Sequence, residues 1–467
     1  MTSRFFWVVL IGLAAACGSS AGSGSKGGAG GAAGSSGAAG SDAGAADAGD
    51  SAGNDAGIAG AGGSDASAGA GGTAGNAGAA GSDSGSAGSG GSAGSAGAGG
   101  SPADTCPVPT GAFQFDGPPG PGSHTTRHRT VLQVPSTGPA SVFTSQLYQN
   151  GSFYSADLER LDHDGAKSWS AHGVANGGIG LSIARSLATT HGTDPCVAYT
   201  YDYDGTLHLS CKSLSDRTIA PKAGNGVAMA ASGGVQQVIY GEGGTLHWVE
   251  VNSTAGTPET IDSAWELGST SLVVDASGVP HVAYVTLESN KTRTVHYATR
   301  TSSGWQILKV ADDTWGSSSD TGDTVSIVLD AGQPVIAYYL RATKSLHLAR
   351  RTSSGFSSVT LSKPPSGYPN DSVGHSVALS IDCMGRLHAV FQRSFTTDPT
   401  PNLRLYYAGI ENDKLVSPVM LPLTASTAFT FYGSTHGLSF YVAPDGEQYV
   451  AAELGGVYGS GIYFASR

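Results

Sequence analysis

The stretch that decides the fold is Gly278-Val279-Pro280-His281-Val282-Ala283-Tyr284, which returns as Gly332-Gln333-Pro334-Val335-Ile336-Ala337-Tyr338. Each copy is a glycine-bearing turn that runs into a short apolar strand. Ahead of each lies another strand ending in aspartate, Ser271-Leu272-Val273-Val274-Asp275 and Ser326-Ile327-Val328-Leu329-Asp330. Downstream, residues 298–305 (ATRTSSGW) match residues 349–356 (ARRTSSGF), 51 positions later. Working outward, the apolar strand recurs at residues 195–199 (PCVAY), 236–240 (QQVIY), 387–391 (LHAVF) and 448–452 (QYVAA). A third strand recurs at residues 206–209 (TLHL), 245–248 (TLHW), 294–297 (TVHY), 345–348 (SLHL) and 402–405 (NLRL). Four short strands in every unit of about fifty residues, with no stretch of helical period, is the pattern of β-propeller blades.

Units begin near Ser141, Gly178, Gly226, Gly268, Thr324, Gly374 and Gly437. The expected fold is therefore all-β, a propeller of seven four-stranded blades. Six blades stay open, because residues 141–177 are degenerate. The last unit holds three strands, so residues 128–134 (HRTVLQV) are expected to supply its outer strand and close the ring. Closure removes the free edges that would template aggregation.

At these residues the chain resembles the BNR/sialidase-like propellers of secreted bacterial proteins, whose blades read D-x-x-G-x-P-H-V-A-Y … L-x-Y-A … G-W. The resemblance covers about residues 178–467. It implies the fold and little about activity, since propellers host many functions.

Toward the other end, Met1 to Cys17 reads MTSRFFWVVLIGLAAAC. The apolar run from Phe5 to Leu13 is far shorter than the ~20 residues of a membrane-spanning helix, so it reads as an export signal. Its ending, Leu13-Ala14-Ala15-Ala16-Cys17, resembles the lipobox of bacterial lipoproteins, with Ala14 where that family prefers leucine. The resemblance implies that Cys17 carries a lipid. With Gly18 rather than aspartate next, it also implies the outer membrane or cell surface. Ordinary cleavage after Ala16 is the alternative. Residues 18–104 hold 31 glycines, seven aspartates and one lysine in 87 positions. Such a composition cannot bury enough surface to offset its ordering entropy. It reads as a disordered Gly/Ala/Ser-rich tether with an r.m.s. span of about 50 Å. Residues 105–467 form the propeller domain. The balance of 36 acidic against 24 basic residues, net −12, with no basic run, argues against nucleic acid.

Four cysteines follow Cys17, and pairing is expected in an exported chain. If Asp202 faces Gly205 across the hairpin turn, Cys196 falls directly opposite Cys211, where a disulfide fits. Cys106 and Cys383 are then left to pair, which would pin the tether's end to the sixth blade. No CxxC or Cys/His metal spacing is present.

His208, His247, His296 and His347 occupy one position in four different blades, too far apart for one metal, and are expected to pack between blades. The turns Asp162-His163-Asp164-Gly165 and Asp202-Tyr203-Asp204-Gly205 lack the third aspartate of a calcium loop and read as tight hairpins. Ser318-Ser319-Asp320-Thr321-Gly322-Asp323-Thr324 matches most of a sialidase Asp-box, but it lies between blades. The loops leading into blades four to seven hold no arginine cluster, which argues against sialidase activity. No HExxH, P-loop or nucleophile elbow is found. Those loops do carry aromatics, Trp265, Trp315, Tyr368, Phe431 and Tyr432, with Glu266, Asp323, His375 and His436 close by. Exposed rings beside hydrogen-bonding groups suit sugars, whose C–H face stacks while the hydroxyls need polar partners; covering the blade ends is the alternative role. Trp169, Trp305 and Phe356 fall within strands and are expected in the core.

The reading the sequence supports is a lipid-anchored extracytoplasmic propeller, monomeric and without metal or cofactor. It would bind a polysaccharide or an envelope protein through Trp265, Trp315, Tyr368, Tyr432, His375 and His436, without chemistry. Two others stay open. A propeller-type glycoside hydrolase or lyase would need two carboxylates about 5–10 Å apart, from Asp323, Asp371 and Glu266. A protein-interaction scaffold in the envelope would show a broad apolar patch.

Overall fold

The computed structural model of the chain describes residue 109, residues 111–115, and residues 125–467 except 151–152, 164–167, 180–186, 201–204, 213–214, 225, 265, 290–291, 315–323, 369–370, 396–401, 423–436 and 455–460. The described elements are all strands. After β1 (Gln114–Phe115), the first blade comprises β2 (Thr125–Gln133), β3 (Ser141–Asn150), β4 (Phe153–His163) and β5 (Trp169–Ile179). The second holds β6 (Leu187–Thr189), β7 (Cys196–Thr200), β8 (Leu207–Cys211) and β9 (Arg217–Ala220). The third holds β10 (Ala228–Ser232), β11 (Val235–Glu242), β12 (Thr245–Val251) and β13 (Glu259–Ser263). The fourth holds β14 (Glu266–Val274), β15 (Pro280–Leu287), β16 (Thr292–Thr301) and β17 (Gly304–Thr314). The fifth holds β18 (Val325–Asp330), β19 (Gln333–Leu340), β20 (Ser345–Thr352) and β21 (Gly355–Ser362). The sixth holds β22 (Ser372–Ile381), β23 (Leu387–Phe395), β24 (Asn402–Glu411) and β25 (Lys414–Met420). The seventh holds β26 (Ser439–Val442), β27 (Gln448–Leu454) and β28 (Gly461–Ser466).

Every blade is an antiparallel meander of four strands, and the seventh takes β1 as its outer strand. The blade count is seven, which removes the six-bladed alternative. The closing segment, however, is not residues 128–134. Most of that stretch belongs to β2, the innermost strand of a first blade that starts at Thr125 rather than Ser141. The closing strand is only two residues long, with Gln114 opposite Ser466 and Phe115 opposite Ala465. Its hold comes from side chains. Phe113 lies in the core between the sixth and seventh blades, and the Arg467 guanidinium covers the rings of Phe113 and Tyr407 at 4.6 and 4.2 Å.

Second strands such as β7, β15 and β19 are buried along nearly their whole length. A blade is sandwiched between two others, so both faces of this strand meet protein and the alternation of a half-exposed strand is lost. Outer strands such as β21 and β25 are largely exposed. Each pair of neighbouring blades shares one apolar cluster, for example Phe143, Leu158, Leu187, Val197 and Tyr199 between the first two. Leu132, Val142, Ile462 and Phe464 join the seventh blade back to the first. The in-strand aromatics pack as expected: Trp305 against Trp248 across blades, Phe356 against Tyr297, and Trp169 edge-on to Phe464.

The innermost strands of adjacent blades share few backbone bonds, such as the Thr324 N–H to the His375 carbonyl at 3.1 Å. Hydroxyls supply further bridges. Val325 and Ile327 of β18 donate backbone N–H groups to Ser269 and Ser271 Oγ of β14, both at 3.2 Å. Val377 and Leu379 of β22 donate to Thr324 Oγ1 and Ser326 Oγ at 2.6 and 2.9 Å. Val442 of β26 donates to Ser380 Oγ of β22 at 3.1 Å. The close approach shows in two glycines, one within β22 and one just ahead of β26. Gly374 has φ +93°, and a Cβ there would stand 2.7 Å from Leu346 Cβ. Gly437, at φ +91°, lies so close to the Thr130 backbone that a Cβ would collide with it.

Ser380→Ala removes the acceptor of a buried N–H and should cost about 1–3 kcal/mol. Gly437→Ala adds a backbone clash to an unfavourable φ and should cost more, about 2–4 kcal/mol. Denaturant titration of both variants checks the order.

Candidate functional site

The connections into each inner strand, and those between second and third strands, end on one face of the ring. On the fourth to sixth blades this face has a buried frame. The Arg293 side chain, 2% exposed at the start of β16, pairs with Asp313 at 3.2 Å and donates to the Tyr339 carbonyl at 2.8 Å. Asp313 Oδ2 and Oδ1 accept the backbone N–H groups of Arg341 and Ala342 at 2.6 and 3.0 Å. One carboxylate thus joins the end of the fourth blade to the β19–β20 turn of the fifth. That turn is tied onward, because the Lys344 carbonyl accepts the Val373 N–H of the sixth blade at 3.0 Å. Breaking such a buried pair by removing one partner costs about 3–5 kcal/mol, so the frame holds the β19–β20 turn firmly.

Of the six expected binding residues, two are described. Tyr368, on the β21–β22 connection, is 43% exposed, and its carbonyl receives the Asp371 N–H at 3.1 Å. His375, on β22, is half-buried. Its ring tilts over Tyr339 at 4.7 Å, and its carbonyl accepts the Thr324 N–H. Tyr368 therefore stands out from the face while His375 turns inward, toward the fifth blade. Trp265, Trp315, Tyr432 and His436 lie outside the described residues, as do Cys17, Cys106 and Phe431. Among the candidate acids, Asp323 also lies outside them; Asp371 is 1% exposed and Glu266 is half-buried. Thr324, the end of the Asp-box-like segment, is a rung between inner strands; residues 318–323 lie outside the described ones.

The four repeated histidines pack, but within their own blades rather than between them. Each stands opposite a second-strand tyrosine and stacks on it: His208 on Tyr199, His247 on Tyr240, His296 on Tyr284 and His347 on Tyr338, with centroids 5.1–5.6 Å apart. The correction follows from register. Directly paired residues on one sheet face lie closer than residues of the next blade. A bulge falls at each of these histidines and turns an outer-strand apolar residue, such as Ile219 or Ile261, toward the interior. The aspartate-bearing turn at Asp162 also holds structural contacts, since Asp162 accepts from Ser141 Oγ at 2.6 Å and from Arg160 at 2.9 Å. Asp164, Asp202, Tyr203 and Asp204 lie outside the described residues.

Cys196 and Cys211 are disulfide-bonded and directly opposite in the ladder, as the hairpin register predicts. Cys383 is also disulfide-bonded, and its expected partner Cys106 lies outside the described residues. Asp194 sits close to both sulfurs of the first bridge, all ligand-type atoms falling within 4.8 Å. With both thiols oxidised, this group has no thiolate to offer a metal.

Sequence reasoning missed what the repeated Asp, His and Tyr of the blade motif do together. In the sixth blade Asp382 Oδ2 meets His388 Nε2 at 3.0 Å, and His388 Nδ1 meets the Tyr407 hydroxyl at 2.7 Å. The fourth blade repeats the chain with Asp275, His281 and Tyr297, at 3.6 and 2.6 Å. The order resembles a catalytic relay, yet its terminal hydroxyl is enclosed. Tyr407 is buried between Phe113 and Phe440 and receives Gln448 Nε2 of the seventh blade at 3.3 Å. Asp382 also closes its own turn by accepting the Met384 and Arg386 N–H groups at 2.9 and 2.8 Å. The chain of three is a brace from turn to neighbouring blade. Its spacing, D-x-x-G-x-x-H with a third-strand tyrosine, was the available signal.

No known protein family matches the chain, and no curated protein does. Among solved structures, it is similar to a protein of unknown function from Dyadobacter fermentans, at 10% identity and TM-score 0.47, covering 77% of this chain and 99% of that one. It is similar to a Hadza microbial sialidase at 9% identity and TM-score 0.40, covering 73% and 65% of the two chains. It is also similar to the Aleuria aurantia lectin, a fungal six-bladed propeller with fucose recognition, at 9% identity and TM-score 0.38, covering 74% and 93%.

Burial holds several histidines neutral. Burial lowers His388 and His281, with Asp382 and Asp275 opposing it. His191, whose edge is solvent-accessible but whose ring is enclosed by protein, is lowered to about 4 by loss of hydration. It accepts the Val134 N–H at Nδ1 and stacks on Tyr441 at 4.0 Å. For Asp382, burial raises the carboxyl, but hydrogen bonds from His388 and Arg386 outweigh it and leave it below its ordinary value. All these groups bind fewer protons folded than unfolded, so stability is present at neutral pH and falls as pH drops. Tm should decline steadily from pH 7 to 4.5, and His191→Gln should flatten the slope between pH 6.5 and 4. Calorimetry across that range checks both.

Proposed function

We propose that this chain is an exported, lipid-anchored propeller whose loop face over blades four to seven binds a polysaccharide without chemistry. The observation that carries the reading is Tyr368, an aromatic held out to solvent on a face framed by the buried Arg293–Asp313 pair. A ring presented from a rigid support loses little entropy when it stacks on a ligand. Trp265, Trp315, Tyr432 and His436 would complete the face, with His375 packed behind it on Tyr339. The burial of Asp371 leaves Glu266 as the candidate acid with some access among the described ones, which disfavours paired-carboxylate hydrolysis. The Cys196–Cys211 bridge fits an oxidising compartment. A lipid at Cys17 and a long Gly/Ala/Ser tether would carry the propeller clear of the membrane; a single chain anchors only marginally, so an outer-membrane protein of this type would carry more than one.

A polysaccharide panel titrated onto the full chain tests the proposal. Saturable binding with no released product is expected, and Tyr368→Ala should weaken it about tenfold. Absence of binding to any polysaccharide, or release of shortened sugars, would overturn it. Palmitate labelling that is lost in Cys17→Ser is expected for the anchor; an unlabelled wild-type chain would refute that part.

A further inference from the structure

We infer that the cleft between the first and second blades is a binding site for a small anion with an apolar body, such as an aryl carboxylate. The cleft encloses about 280 Å³ and opens on the face opposite the loops described above, where the first-to-second and third-to-fourth strand connections gather. Three other interfaces are filled by ring pairs that cross between blades, Trp248 with Trp305, Tyr297 with Phe356 and Tyr407 with Phe440. Among the described residues no ring pair bridges the first and second blades, and their shared cluster is a small one. Pro135 and Pro139 from the β2–β3 connection and Pro195 ahead of β7 wall the space instead. Proline rings are rigid and cannot collapse inward, so a slot persists where those three interfaces are filled by rings.

The polar groups around this slot are unevenly satisfied. Asp162 accepts from Ser141 Oγ at 2.6 Å and Arg160 Nη2 at 2.9 Å, and lies 3.4 Å from His172 Nε2. Its acceptor capacity is largely used. Arg160 makes that one contact to Asp162, and its Nε finds no acceptor among the described residues. Lys212 is exposed at the other wall. Asp194 lies near the disulfide on the same side, so net charge around the cleft is close to balanced. The surplus is in hydrogen-bond donors, and a donor-rich edge above an apolar wall selects an acceptor with an apolar body. A carboxylate between Arg160 and Lys212 would form charge-assisted hydrogen bonds, while its body displaced water from the prolines. The volume is at the small end for ligand pockets and suits about ten heavy atoms.

Three probes titrated onto the full chain, followed by NMR, test this: benzoate, benzamide and glucuronate. Benzoate should bind saturably, at least about fivefold tighter than benzamide, which lacks the charge, and than glucuronate, which lacks the apolar body. Lys212→Glu lies on the surface and should weaken benzoate about fivefold with Tm unchanged, while Lys212→Arg retains it. Ser210→Trp, which fills the slot, should abolish binding while the propeller stays folded. No saturable benzoate binding, equal binding of benzamide, tighter binding of glucuronate, or indifference to Lys212→Glu would each overturn the proposal. Polysaccharide binding at the opposite face is unaffected in either case.

Discussion

The structure depends on how the inner edge of each blade is satisfied. Strands that converge on an axis cannot pair with their neighbours as a sheet, yet their N–H groups point into a crowded ring where an unmet donor costs about 1–3 kcal/mol. Ser269, Ser271, Thr324, Ser326 and Ser380 provide the missing acceptors, each reaching from one blade to the backbone of the next. These contacts set the spacing between blades. The spacing in turn demands glycine at Gly374 and Gly437, where a side chain would strike the neighbouring blade. It also fixes where each loop leaves the ring, and so the shape of the loop face.

Two further devices brace the blades farther out. The histidine–tyrosine stacks hold the second and third strands of four blades together where a bulge bends the outer strand. At the opposite end, Asp–His–Tyr chains run from a turn aspartate to a tyrosine that touches the following blade. In the second blade Cys196 stands at the position of those motif histidines, and a disulfide takes over the bracing. A trio resembling a proton relay is here a structural strut, because its hydroxyl is buried among rings and bonded to Gln448 of the next blade.

Much of the fold was legible because second strands such as β7, β15 and β19 are buried on both sides and keep their apolar runs. The Cys196–Cys211 pairing was legible because a hairpin turn determines which residues face each other. The closing strand was not. Two residues, Gln114 and Phe115, carry no pattern, and their hold comes from Phe113 and Arg467, residues far apart in sequence. The first blade was misplaced because β2, TTRHRTVLQ, is mostly polar and lacks an apolar run. At the candidate site, residue types could be read from the loops. Orientation could not, since His375 turns inward onto Tyr339 of the neighbouring blade, a contact that no local pattern encodes. The cleft between the first two blades was equally invisible, because its walls, Pro135, Pro139 and Pro195, come together from separate strand connections.

Five inner-strand amides are satisfied by side-chain hydroxyls of the preceding blade, and native-state hydrogen exchange reads this directly. The amides of Val325, Ile327, Val377, Leu379 and Val442 should be protected to the same level as those of the central strands β15 and β19. Exchange of these five at the rate of open sheet edges, while β15 and β19 stay protected, would contradict it.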